Sequence, residues 1–153
     1  MPSRLVDELR GAYAEFIASF LFVFFGAGSV SGAISAVDHP WVDASTLALD
    51  AQGATVEPVN YALSFGFGIT ILAFAIGDVS GGHINAAVTL AFAVTRNITV
   101  TRAVLYVVMQ LLGALAGGAA LVGAVGAHNY HSGIGLAPDV SQAGGFALEL
   151  MGT

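Results

Sequence analysis

A few polar side chains interrupt long apolar stretches of this sequence, and they are the residues whose types and spacing could do chemistry. They are Glu15, His83, Asn85, Gln110 and Glu149. Ionisable and amide groups are costly in lipid, so they usually face the protein interior. There they could form a proton relay, an ion site or a structural hydrogen-bond network.

Enzymatic chemistry and metal binding find little support in the sequence. A hydrolase needs a nucleophile with a base, or a metal cluster, and neither occurs at a suitable spacing. The chain has no cysteine, which excludes disulfides and thiolate metal sites. His128 and His131 have an i, i+3 spacing, but the next carboxylate is Asp139. We therefore predict a solvated loop at these histidines, no metal, no cofactor and no enzyme activity.

The composition points to a protein embedded in a lipid bilayer. Of the 153 residues, 56% are hydrophobic and only 9% are charged, whereas soluble domains carry about 25% charged residues. The net charge of -6 and the lack of any basic stretch argue against nucleic-acid binding. The composition predicts an all-α transmembrane protein.

Three segments are long enough to cross a bilayer, which takes about 20 apolar residues. They lie at about residues 11–37, 59–77 and 101–127, and a fourth apolar segment covers 144–153. Pro58 suits the first position of the second helix, where its missing N–H costs nothing. The whole chain, residues 1–153, is read as one membrane domain.

Gly113 and Gly117 lie four residues apart within the third span. Small residues at this spacing let two helices approach closely in a membrane. Glycine is also frequent in membrane helices for no specific reason. We favour tight helix packing at this pair.

The polar stretch "SGGHINAAVTL" predicts a short helix that enters the membrane without crossing it, here called the half-helix. Asn85 can cap a helix that covers about residues 85–95. Ten residues span about 15 Å, which is half of a hydrocarbon core of about 30 Å. Non-helical backbone at that depth must be buried in protein or face water. The stretch therefore predicts a re-entrant half-helix beside an aqueous path.

The four arginines give the orientation. If only three segments cross, then all four lie on one side, at residues 4, 10, 96 and 102. The opposite loops, residues 38–57 and 128–141, contain no lysine or arginine. Positive residues accumulate on the cytoplasmic side, so the N-terminus is predicted to be cytoplasmic. A half-helix that crossed fully would split the arginines two and two.

Several of these motifs together resemble the aquaporin, or major intrinsic protein, family. The stretch "SGGHINAAVTL" is similar to that family's first signature loop, S-G-x-H-x-N-P-A-V-T, with Ala86 in the place of proline. "AEFIASF" at 14–20 resembles its first helix, and "QLLGALAGG" at 110–118 resembles its third. "SQAGGFALELMGT" at 141–153 resembles the start of its fourth helix.

The resemblance covers the first half of the family fold, which has six spans and two half-helices in two inverted repeats. It implies three spanning helices, one re-entrant half-helix and the start of a fourth span. It also implies a passive channel for water or small neutral solutes and assembly as a tetramer with one pore per subunit. The second half-helix and the arginine of the family's selectivity filter have no counterpart among these residues.

The resemblance also assigns roles to individual residues. Asn85, with Ala86 and Ala87, would form the half-helix tip at the pore, and Asn85 would donate a hydrogen bond to a passing molecule. Phe65 would supply an aromatic wall that narrows the pore towards water, although a packing role is the alternative and Phe67 is its neighbour. His83 would brace the loop or line the cytoplasmic entrance, with a pH sensor as the alternative.

Three further polar residues would support the loops instead of relaying protons. These residues are Glu15, Gln110 and Glu149. The two glutamates would accept hydrogen bonds from the backbone of re-entrant loops, and Gln110 lies in the third span.

The resemblance leaves three functions open. A water channel is the leading prediction, and Phe65 argues against the first alternative, a facilitator of glycerol or other small neutral solutes. The second alternative is a non-conducting fragment or an accessory subunit that pairs with full-length relatives.

Overall fold

The structure is a computed structural model that describes residues 2–37, 57–129 and 141–152. Within these ranges the chain forms five α-helices and one 3-10 turn, with no strand. The predicted outer-loop residues 38–56 and 130–140, which include His131, lie outside the described residues.

The five helices follow the predicted order of spans and half-helix. They are α1 (Pro2–Val37), α2 (Glu57–Ser80), α3 (Ala86–Val94), α4 (Val100–Val125) and α5 (Gln142–Gly152). Three of them contain segments long and apolar enough to cross a membrane, namely Leu5–Ser31, Tyr61–Ser80 and Val100–Val125. The predicted all-α class is therefore confirmed, with α3 as the short helix between the second and third long ones.

The helix ends differ from the predicted spans for local reasons. Hydropathy marks only the apolar part of a helix, and α1 continues through its polar first turns to Pro2. Similarly, α2 begins at Glu57, so Pro58 occupies the first turn, where proline is tolerated. Helix α4 ends at Val125 because Gly126 follows with φ +81°, a conformation that glycine adopts readily.

Helix α1 is the central element of the fold. It packs extensively along α4 and also along α2, while α3 packs against α4. The contacts between α1 and α4 run in the same sequence order, from Glu8 with Arg102 to Phe20 with Gly117. The two helices are therefore parallel, which means that the first and third long helices cross any membrane in the same direction.

The parallel helices touch at their backbones because two positions of α4 lack a side chain. Gly113 and Gly117 are buried against α1. A Cβ atom at Gly113 would collide with the carbonyl oxygen of Phe16, and one at Gly117 with that of Phe20. The predicted close packing at this glycine pair is confirmed.

Replacing Gly113 with alanine should separate α1 from α4. The obstructing atom is a backbone oxygen that cannot rotate away, so we expect a loss of about 1–3 kcal/mol in the free energy of unfolding. Gly123→Ala on the same helix is the matched control, because no atom of the described residues lies within 4 Å of a Cβ there, apart from the nearby backbone of α4 itself. The measurement is unfolding of both variants in mixed micelles of increasing SDS content. Equal stability of the two variants would contradict the packing assignment.

Candidate functional site

Between α2 and α3 the chain folds back onto α2 in a five-residue loop, residues 81–85. Gly81 and Gly82 have φ values of +95° and +67°, where a side chain would be strained. A Cβ at Gly82 would also lie 2.9 Å from the carbonyl oxygen of Ala73. Glycine therefore lets the loop fold back tightly onto α2.

Ile84 continues this turn in an unusual conformation for its type. Its φ is +51°, which is rare for a β-branched residue, and its side chain is buried. Such a conformation persists only where surrounding contacts enforce it. Here the Ile84 backbone N–H donates to Oε2 of Glu15 at 2.6 Å, and this bond fixes the peptide.

Glu15 lies at the centre of a buried hydrogen-bond network and has no solvent exposure. Its Oε1 atom accepts from the Ser80 hydroxyl at 2.6 Å and from the His83 backbone N–H at 2.9 Å. Its Oε2 atom accepts from Ile84 N–H and from Nε2 of Gln110 at 2.8 Å. All four partners can donate, so a carboxylate at this position accepts a hydrogen bond from each of them. The network thereby joins α1, the loop and α4.

Gln110 extends the network from α4 towards α3. Its Nε2 atom also donates to Oγ1 of Thr89 at 3.0 Å. Thr89 is fully buried, and its hydroxyl lies 3.0 Å from the backbone carbonyl oxygen of Asn85. The start of the half-helix is therefore connected to the buried carboxylate through two side chains.

The His83 ring is enclosed within the protein. It is 6% exposed, and its centroid lies 4.7 Å from that of Phe92 and 5.4 Å from that of Tyr106. Its Nδ1 atom lies 3.0 Å from Oγ1 of Thr89. These contacts match a loop-bracing position better than an open channel entrance.

Sequence reasoning missed three residues of this site, namely Ser80, Thr89 and Tyr106. The Tyr106 hydroxyl donates to the Ser80 carbonyl oxygen at 2.9 Å, at the point where α2 ends. Tyr106 precedes Gln110 by one helical turn and therefore shares its face. A polar-tipped aromatic residue on the face of a buried glutamine was the signal that could have identified it.

Asn85 is the N-cap of α3, the role that the sequence predicts for it. Its backbone is extended, and its Oδ1 atom accepts from the Ala87 N–H at 2.7 Å. Ala86 occupies the first helical position and is half-buried, while Asn85 and Ala87 are exposed. The Nδ2 group of Asn85 has no hydrogen-bond partner among the described residues, so its two protons remain available.

Phe65 lies apart from this polar network, on α2. It packs edge-on against Phe22 at 5.4 Å between centroids and covers Gly26 of α1, yet 36% of it remains exposed. Fifteen residues of helix separate it from Ser80, a distance of about 22 Å along the axis. Its neighbour Phe67 is 62% exposed.

Glu149 is not brought to the site. It is exposed on α5, in a helix whose large apolar side chains are exposed as well. Among the residues that the structure describes, no group of three histidine, aspartate or glutamate side chains could hold a metal ion.

Comparison with known proteins identifies relatives over nearly the whole chain. Residues 3–153 match the family described as Major intrinsic protein. The chain is 43% identical over 118 residues to aquaporin-5 of Homo sapiens, which covers 77% of the chain and 38% of that protein. It is 36% identical over 147 residues to aquaporin-1 of Bos taurus, which covers 94% of the chain and 51% of that protein.

A third relative is similar in length to the matched region. Over 112 residues the chain is 45% identical to aquaporin-2 of Oryctolagus cuniculus, covering 73% of the chain and 86% of that sequence. The chain spans about half the length, or less, of the aquaporin-5 and aquaporin-1 relatives. Given the family match over residues 3–153 and three helices able to span a bilayer, the chain is an integral membrane protein that belongs to the major intrinsic protein family.

Proposed function

We propose that the chain forms the first repeat of an aquaporin-type channel that conducts water. The observation that carries this proposal is the state of Asn85. Its side-chain oxygen is engaged in capping α3, while the residue is exposed and its amide protons have no partner among the described residues. The capping bond fixes the direction of these two donors, which therefore stand ready for the oxygen of a passing molecule.

The half-helix adds an electrostatic contribution to the same site. A helix N-terminus carries roughly half a positive charge, and α3 begins directly after Asn85. In the membrane interior this partial charge disfavours cations and orients a water molecule with its oxygen towards Asn85. A second asparagine from the other repeat would hold the same oxygen from the opposite side. A water bound in this way cannot pass a proton along the file.

The fold supports the proposed re-entrant topology. Because α1 and α4 are parallel, an odd number of crossings must lie between the end of α1 and the start of α4, which fits a topology in which α2 crosses and α3 does not. The ion pair between Glu8 and Arg102, with 2.8 Å between Oε2 and Nε, places the starts of both helices at the same end. With all four arginines on that side, it is the cytoplasmic side. We include a homotetramer in the proposal, by resemblance to the family.

Single cysteines should report this topology, since the chain has none of its own. Asp78 and Asn97 flank the re-entrant segment, and both are exposed. We expect Asp78→Cys and Asn97→Cys to react with a membrane-impermeant maleimide only from the cytoplasmic side. Ser141→Cys, just before α5, should react only from the opposite side. Labelling of positions 78 and 97 from different sides would show that α3 crosses the membrane.

Stopped-flow osmotic measurements on proteoliposomes test water conduction. One sample contains the chain alone, and the other contains it with the C-terminal half of bovine aquaporin-1. We expect water permeability above that of empty liposomes in the second sample. Asn85→Asp keeps the capping oxygen but replaces the two donors with an acceptor. It should lower that permeability by about tenfold, which corresponds to one lost hydrogen bond of about 1.4 kcal/mol.

The control for this variant is Asn97→Asp, which changes an exposed asparagine outside α3 and should leave permeability unchanged. Absence of water permeability in both samples would contradict the proposal and favour a non-conducting fragment. Permeability with the chain alone would show that its copies can complete a pore.

The selectivity proposal rests on Phe65. Its partly exposed ring lies on α2 far from the half-helix. It could therefore narrow the pore at a second level, separate from that of Asn85. In the combined sample, Phe65→Ala should raise glycerol permeability severalfold relative to water permeability, because a phenyl wall is removed. Phe67→Ala, two residues further along α2 and therefore on a different face of the helix, is the matched control. Faster glycerol than water permeation in the unmodified protein would instead identify a glycerol facilitator.

A further inference from the structure

In the buried network, the hydroxyl group of Thr89 contacts three different partners. It lies between Gln110 of α4, the His83 ring of the loop and the backbone carbonyl of Asn85. We propose that Thr89 is a positioning residue that sets both the direction of Asn85 and the location of the proton on His83. The part of this inference that concerns conduction rests on the proposed water channel.

The donors and acceptors around Thr89 can be counted. The Nε2 group of Gln110 has two protons, and it uses them for Glu15 at 2.8 Å and for Thr89 at 3.0 Å. The Thr89 hydroxyl has one proton to donate and can accept two bonds. Two possible acceptors lie at 3.0 Å, the Asn85 carbonyl and Nδ1 of His83, whereas Oε1 of Gln110 is at 3.5 Å. A threonine hydroxyl in a helix commonly donates to the carbonyl four residues earlier, so we assign the Thr89 proton to Asn85.

This count determines the tautomer of His83. The Nδ1 atom of His83 also lies 3.0 Å from the Thr89 oxygen. If Nδ1 carried a lone pair, it would compete with the Asn85 carbonyl for a single proton, and one of these two contacts would lose its hydrogen bond at a cost. With the proton on Nδ1, the Thr89 hydroxyl accepts from Gln110 and His83 and donates to Asn85, so each of its three contacts is a hydrogen bond. His83 is thus inferred to be the Nδ1–H tautomer, a state assigned from its partners.

The same hydroxyl fixes the start of the half-helix. The Asn85 carbonyl accepts both the Thr89 hydroxyl and the Thr89 backbone N–H, each at 3.0 Å. Two donors on one oxygen hold the peptide plane between Asn85 and Ala86. The Thr89 side chain is stiff because it is β-branched, and it is fully buried. Together with the capping bond from the Ala87 N–H, this arrangement holds the side-chain amide of Asn85 in a single orientation.

The test compares Thr89→Val, which keeps the shape and removes the hydroxyl, with Thr89→Ser, which keeps the hydroxyl. Thr70→Val is the matched control, because among the described residues the Thr70 hydroxyl bonds within its own helix alone, to the Gly66 carbonyl. The first readout is the ¹⁵N NMR signature of the His83 ring in the 153-residue chain in nanodiscs, assigned by its loss in His83→Asn.

We expect the Nδ1–H signature in the unmodified chain, in Thr89→Ser and in Thr70→Val. Thr89→Val should shift the ring to the Nε2–H tautomer, since Nδ1–H has then lost its acceptor. The second readout is hydrogen exchange of the Ala87 and Thr89 amides. It should be about tenfold faster in Thr89→Val alone, which corresponds to about 1.4 kcal/mol.

Several results would overturn the proposal. An Nε2–H signature in the unmodified chain would refute the proton assignment. Exchange in Thr89→Val no faster than in Thr70→Val would refute the positioning role. If Thr89→Val does not fold, Thr89→Ser decides: the unmodified signature and exchange support the role, and any other behaviour refutes it.

The conduction readout separates this inference from the proposed function. In the combined proteoliposomes, Thr89→Val should lower water permeability severalfold, and Thr89→Ser should retain it. If the NMR and exchange results are as expected but the unmodified protein conducts no water, then the proposed function fails and the structural role of Thr89 stands. If the unmodified protein conducts and Thr89→Val conducts equally well, then the positioning role fails.

Discussion

The site depends on a reciprocal need between a buried carboxylate and a re-entrant backbone. An anion inside an apolar helix is costly unless donors surround it, and Glu15 is fully buried. Unpaired N–H groups at membrane depth are costly as well, and the loop presents those of His83 and Ile84. The Glu15 carboxylate accepts a hydrogen bond from both N–H groups, so the anion gains donors and the donors gain an acceptor. Removal of the carboxylate would leave these donors without a partner, so α1 and the loop form one structural unit.

The glycine seam between α1 and α4 is the second requirement. Gln110 reaches Glu15 only because the two helices touch at their backbones, at Gly113 beside Phe16 and again one turn further on. Wider spacing would place a buried glutamine and a buried carboxylate out of hydrogen-bond reach. Packing and polar chemistry are therefore not independent features here, since the small residues of α4 permit the contact that stabilises the charge.

The features that the sequence predicted correctly are those that depend on residues close together in the chain. The capping of α3 by Asn85 involves a contact two residues away, and the glycine pair is a spacing within one helix. Thr89 and Tyr106 were missed because their roles depend on the register between segments far apart in the chain, such as Thr89 with Gln110. No local pattern encodes that register. Hydropathy likewise placed the apolar spans but not the polar first turns of α1.

Glu149 is a second example of a residue whose surroundings cannot be read from a local sequence pattern. It stands in a sequence context like that of Glu15, and the resemblance gives both a supporting role. Glu15 has a loop and a second helix within reach, whereas Glu149 is exposed on α5 and its supporting role stays a prediction. A motif therefore specifies the residue type for a buried carboxylate, but only the packed neighbours make it a structural anchor.

The same reasoning explains why α3 tolerates Ala86 at the position where the family signature has proline. Proline favours a helix start by fixing φ and by lacking an N–H that has no partner there. In this chain the start is determined from outside α3. Glu15 holds Ile84 in its left-handed conformation, and the Asn85 side chain caps the first turn. Alanine is the best helix former among the residues that could follow. The position of the asparagine therefore depends on a glutamate seventy residues earlier in the chain more than on the residue next to it.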